Sequence, residues 1–136
     1  MFTLDLAREV LAAQPFSAML GTRISHLDDE TVVLELDVDD RLRQQYGLIH
    51  GGVLAYLADN ALTYAGALSL GANVVTSGFT IDYVSPARDG AVLRATAHLA
   101  HGGRRKALAT CDIDIVDAAG TAKRCAVAMG TTLTTN

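Results

Sequence analysis

His50-Gly51-Gly52-Val53-Leu54-Ala55-Tyr56-Leu57-Ala58-Asp59-Asn60-Ala61-Leu62-Thr63-Tyr64-Ala65-Gly66-Ala67-Leu68-Ser69-Leu70 reads as a long helix opened by glycines and apolar on nearly every face. A helix that is hydrophobic all round is buried, so the rest of the chain must wrap it. Between Gly51 and Leu70 the only charged residue is Asp59. A carboxylate in so apolar a helix is costly unless it is paired, hydrated or used. Asp59 is therefore the first functional candidate, beside the plainer reading that it caps a neighbouring loop.

At about 100° per residue, the steps from His50 to Asp59 turn roughly 180° and set the two on opposite sides of one helix. One copy cannot aim both at one substrate. Two copies about a twofold axis can, with the glycine-rich start of one helix facing the carboxylate of the other. Thr63, four residues after Asp59, shares its face.

A run of about 20 apolar residues is also long enough for a membrane span. Asp59, Asn60 and Thr63 at its centre, and the lack of a basic flank after it, argue against that. Half of the 136 residues are hydrophobic and only 2 are proline, which excludes disorder and fits one compact domain over 1–136. The net charge of −4 argues against a general nucleic-acid surface, although Arg104, Arg105 and Lys106 form a local basic cluster. Cys111 and Cys125 have neither metal-site nor redox-pair spacing. The start Met-Phe-Thr-Leu-Asp lacks the pattern of a leader, so a cytoplasmic protein with reduced thiols is expected. Histidines at 26, 50, 98 and 101 make no ligand pattern, and no metal is expected.

Outward from the helix, Leu4 to Ala13 has the stripe of a short amphipathic helix, with Pro15 at or just beyond its end. Alternation over Thr22 to Leu27 and Thr31 to Val38 predicts two antiparallel strands turning at Asp28-Asp29. Asp39 to Ile49 breaks the alternation as a polar loop leading into His50-Gly51-Gly52. Gly71-Ala72-Asn73 stops the helix. Strands follow over Val74 to Val84, Val92 to Ala100, Arg105 to Val116 and Ala122 to Leu133, with turns between them. Short turns between alternating strands mean an antiparallel meander, and the class is α+β with one long helix against a sheet.

Leu48 to Ala61, containing His50-Gly51-Gly52 and then Asp59, resembles the helix signature of hotdog-fold thioesterases of the PaaI-like group, which hydrolyse acyl-coenzyme A. Thr80-Ile81-Asp82-Tyr83-Val84-Ser85-Pro86-Ala87 is similar to that group's strand and turn after the helix. Gly103-Arg104-Arg105 and Asp117-Ala118-Ala119-Gly120 are similar to its later hairpins. The resemblance implies a curved antiparallel sheet wrapping the long central helix, homodimers joined at sheet edges, often homotetramers, and a site at the dimer interface.

By the same resemblance the Gly51 N–H would polarise the thioester carbonyl, and Asp59 of the second chain would serve as general base or nucleophile. His50 and Gln44 match positions that orient the thioester, and Thr63 one that holds the carboxylate or the attacking water. Many relatives carry asparagine in place of Gln44, and some a longer acid in place of Asp59; Gln45 is a second candidate for the glutamine role. Thr76 or Ser77 would bring a further hydroxyl. Arg104 and Arg105, the strongest basic cluster on an acidic chain, are assigned to the coenzyme A phosphates.

The chemistry suits these parts. A helix N-terminus supplies unpaired N–H groups where an oxyanion develops. A thiol of pKa about 8.5 leaves without a strong general acid, so neither a serine triad, a metal nor a cofactor is demanded; coenzyme A is part of the substrate. A non-catalytic acyl-coenzyme A sensor on the same fold is the alternative. A hotdog dehydratase fits less well, because that group uses a different histidine loop and a glutamate in the helix.

Overall fold

The computed structural model describes residues 1–135. Its elements are α1 (Leu4–Ala12), α2 (Pro15–Leu20), β1 (Arg23–Leu27), β2 (Thr31–Asp37), a 3-10 turn (Asp40–Leu42), α3 (Gly51–Leu70), β3 (Val74–Tyr83), β4 (Val92–Gly102), β5 (Lys106–Val116) and β6 (Ala122–Thr134). The six strands form one antiparallel sheet in the order β1-β2-β4-β5-β6-β3, which curves around α3. The long strand β3 is an edge, with β6 on one side only.

The sheet reaches the helix because the facing residues are small. Ala95, Ala97, Ala109, Cys111, Ala126 and Ala128 are buried under Ala58, Ala61 and Ala65 of α3. At Gly66 the approach is closest: a Cβ built there would lie 2.6 Å from both Cβ and Oγ1 of Thr132. In an exposed helix, glycine to alanine stabilises by about 1 kcal/mol. Here the sign reverses, because the added methyl must push β6 away from α3. Gly66→Ala is expected to lower stability by about 1–3 kcal/mol, read as a fall in melting temperature of roughly 4–10 °C. An unchanged or higher melting temperature would show that the helix can shift freely over the sheet.

Two short elements carry weak sequence signals. Helix α1 stops at Ala12, before Pro15, but Pro15 then opens α2 at its first position, where a missing N–H costs nothing. Six residues are too few for a periodic pattern; what holds α2 is a polar network onto α3. Ser17 Oγ contacts Tyr56 Oη at 2.6 Å and donates to Gln14 Oε1 at 2.7 Å, while Asn60 Nδ2 donates to Tyr56 Oη at 3.1 Å. Gln14 also donates to Tyr64, whose phenol burial pushes up to about 12. The loop before α3 is likewise ordered: Leu42 is buried, Arg43 bridges to Ile49, and the Arg43 guanidinium donates to the carbonyls of Gly47 and Arg88.

The β4–β5 hairpin is longer than the alternation suggests. Strand β4 runs on to Gly102 through an irregularity between Leu99 and His101, and the Gly103 N–H bonds the Lys106 carbonyl at 2.9 Å. Arg104 and Arg105 therefore occupy a tight tip beside Leu70, at the C-terminal end of α3.

Candidate active site

Helix α3 opens on His50 as its N-cap: the imidazole Nδ1 accepts the Gly52 N–H at 2.8 Å. Nδ1 is thereby an acceptor, which leaves Nε2 as the protonated nitrogen of the neutral ring. The N–H of Gly51 precedes any intrahelical carbonyl it could bond. Gly51 borders a cavity of about 410 Å³ with Gln44, Leu48, Ile49, Leu54, Tyr83, Val84 and Pro86 along its wall. Gln44 Oε1 accepts the N–H groups of Tyr46 and Leu48, at 2.5 and 3.3 Å. That fixes the side chain at the pocket and leaves its amide N–H groups to donate. Gln45 is exposed and outside this lining.

Asp59 stands eight residues into the helix from Gly51, about 12 Å along the axis, and is half-buried. Its Oδ1 accepts from Thr76 Oγ1 at 2.5 Å, with Thr63 Oγ1 at 3.5 Å. Thr63 Oγ1 is 2.8 Å from Thr76 Oγ1 and donates to the Asp59 carbonyl oxygen, four residues back, at 2.8 Å. Among the described residues nothing donates to Oδ2. One oxygen is held and the other is free to take a proton or attack.

Thr76 reaches Asp59 because of a β-bulge. Thr76 pairs with Thr132 and Gly78 with Thr131, so Ser77 is the extra residue. The insertion turns Thr76 to the helix side, the same side as Phe79, Ile81 and Tyr83; an unbroken alternation would have turned Ser77 there instead. Ser77 is exposed and makes no side-chain hydrogen bond among the described residues.

The chain thus brings together Asp59, Thr63 and Thr76 in one group and Gln44 and Gly51 along one cavity in another, with the exposed His50 ring over Gly52 beside that cavity but outside its lining, and does not join the groups. Arg104, Arg105 and Lys106 are exposed, with no ion pair among the described residues. Tyr83, which the sequence marks only by its place in an alternating strand, donates from its hydroxyl to the Gly51 carbonyl at 2.8 Å. The thiols take no part. Burial, reinforced by nearby carboxylates, pushes Cys111 up to about 12 and Cys125 up to about 11, so both are protonated at neutral pH. Among the described residues, no three His, Cys, Asp or Glu side chains converge as a metal site, and no helix is long and apolar enough to cross a membrane.

A sheet curled around a buried helix, with an acid on the helix and a pocket at its glycine-rich start, defines a hotdog-fold thioester hydrolase. The family model described as Thioesterase superfamily matches residues 46–122. The chain is 36% identical over 98 residues to acyl-coenzyme A thioesterase PaaI of Escherichia coli, covering 72% of this chain and 68% of the relative. It is 32% identical over 103 residues to 1,4-dihydroxy-2-naphthoyl-CoA hydrolase of the same organism, 74% of each chain. A solved thioesterase family protein from Silicibacter pomeroyi superposes with a TM-score of 0.86 at 29% identity, over 93% of both chains. The chain belongs to the thioesterase superfamily, in its PaaI-like group.

Proposed function

We propose that this chain hydrolyses acyl-coenzyme A thioesters, with aromatic or medium-chain acyl groups as the substrates, in sites that two copies complete together. The observation that carries this reading is the placement of both half-sites along the unpaired edge strand. Thr76, which holds Asp59, and Tyr83, which holds Gly51, both face the helix, and their partners on β6 are Thr132 and Ala126. Midway between them lies the rung of Thr80 with Met129. In one chain the two anchors are about 20 Å apart, six rungs along the strand. A twofold axis through Thr80, perpendicular to the sheet, lays Thr76 of one chain opposite Tyr83 of the other, about 5 Å away, and leaves both on the helix side. The pairing also covers an edge that exposes Val75, Tyr83 and Val84.

In such a dimer the thioester carbonyl points at the Gly51 N–H, steadied by Gln44 and His50. Asp59 of the other chain acts through Oδ2, as base on water or as nucleophile. The carbon–sulfur bond breaks, giving a carboxylic acid and the coenzyme A thiol. The apolar cavity beside Gly51 supports an acyl ring or short chain, and one relative is named for an aromatic acyl-coenzyme A. Pairing through β3 also carries the hairpin tip of Arg104 and Arg105, at the Val74 end of the strand, toward the second chain's pocket, where coenzyme A phosphates would extend. Tetramers of two such dimers and a cytoplasmic setting complete the proposal, the latter supported by two free buried thiols.

The test is thiol release from a panel of short, long and aromatic acyl-coenzyme A substrates. Turnover is expected, best with aromatic or medium chains. Replacing Arg104 and Arg105 by alanine should raise KM about tenfold with kcat nearly kept, and should spare a truncated pantetheine thioester. Equal losses on both substrates would count against the phosphate role. Tight acyl-coenzyme A binding without thiol release would instead indicate a non-catalytic binding protein.

A further inference from the structure

The Tyr83 hydroxyl and the His50 ring lie at the two ends of one peptide group. Tyr83 Oη–H donates to the Gly51 carbonyl at 2.8 Å, and the N–H of that same peptide, at Gly52, donates to His50 Nδ1 at 2.8 Å. Hydrogen bonds in series polarise one another, so a donor on the carbonyl strengthens the N–H as a donor. The ring of Tyr83 also packs on Gly51: a Cβ there would meet Tyr83 Cζ and Oη at 3.2 Å. At Gly52 a Cβ would press the His50 ring at 3.0 Å. The two glycines leave room for the side chain at each end of the relay.

We propose that Tyr83 is a positioning residue for the reaction, acting through the Gly51–Gly52 peptide to hold His50 in the tautomer whose Nε2–H points at the substrate. Tyr83 need not touch the reacting atoms. Without the hydroxyl proton the Gly51 carbonyl keeps only its helical partner, the Gly52 N–H becomes a weaker donor to Nδ1, and the imidazole turns among orientations and tautomers. The inference rests on the thioesterase reading for its kinetic consequence, but not for the relay itself.

Tyr83→Phe keeps the ring against Gly51 and removes one hydroxyl from a half-exposed side chain, so folding and dimer size should persist. The expected result is a fall in kcat on the order of tenfold, with KM within about twofold. In a His50→Ala background the same substitution should cost nothing further, because the group it positions is gone. Losses that multiply independently, or a KM effect alone, would overturn the role. A second measurement does not use activity: long-range proton–nitrogen spectra of the His50 ring, assigned by its loss in His50→Ala. Wild type should show protonated Nε2 and bare Nδ1, and Tyr83→Phe a mixture, both read on the folded fraction. An unchanged ring spectrum rejects the relay. A changed spectrum in a protein that hydrolyses no thioester would keep the relay and reject the thioesterase reading.

Discussion

Asp59→Asn is expected to keep the fold and to lower kcat by on the order of 10² or more, as measured by thiol release. The side chains are nearly isosteric, and the amide oxygen can still accept from Thr76 Oγ1, where the carboxylate accepts at 2.5 Å. What disappears is the carboxylate Oδ2, the oxygen to which nothing in the described chain donates. A base or a nucleophile at that atom is lost outright, whereas a carboxylate that only anchored β3 to α3 would be replaced with little consequence. A melting temperature near that of wild type, together with undiminished turnover, would sink the assignment of Asp59. Loss of turnover with loss of folding would be resolved by Thr76→Val, which removes the same anchoring bond and leaves the carboxylate.

The second large effect concerns assembly. His50→Ala and Asp59→Ala chains, each with only residual activity alone, should recover activity when refolded together. In a mixed dimer, one site joins the intact His50 of one chain to the intact Asp59 of the other, and the second site carries both lesions. Random mixing makes about half of the dimers mixed, each with one working site of two, so roughly a quarter of wild-type activity per chain should return. A site built inside one chain predicts no recovery. The geometry favours the first outcome, since α3 separates Gly51 from Asp59 by about two turns in the single chain. Heterodimers confirmed by mass, but silent, would reject the shared site and the twofold axis through Thr80.

Most of the architecture was legible in the sequence because its signals are long. A 20-residue helical run with a single charge, and strands of about ten alternating residues, leave few alternatives to a buried helix in an antiparallel sheet. Helix α2 and the 3-10 turn at Asp40–Leu42 were not legible, because both are short and are held by contacts distant in sequence, Ser17 with Tyr56 and the helix start with Leu42. The Leu42 carbonyl accepts the His50 N–H at 2.8 Å. Asp59 stood out by its cost in an apolar helix. Thr63 could be placed on its face by helical spacing alone. The choice between Thr76 and Ser77 could not be made, because spacing along a strand specifies a face only when every residue is paired. Nothing in the sequence singles out Tyr83, since its hydroxyl bonds a carbonyl 32 residues away.

The bulge at Ser77 also changes what kind of error the chain can tolerate. A strand is written in a phase of two, and the extra residue acts as a frameshift that puts Thr76 and Phe79 on one side although they are three positions apart. Exchanging Ser77 for another small residue leaves the phase alone. Deleting it would heal the ladder with Thr76 still opposite Thr132 and on the helix side, whereas ironing out the bulge with Ser77 retained would set Ser77 opposite Thr132 and carry the Thr76 hydroxyl to the opposite face, away from Asp59. At this point the contact between Thr76 and Asp59 depends on where the extra residue is accommodated, and letter-by-letter comparison with a chain of different bulge length would pair hydroxyls that face opposite sides of the sheet.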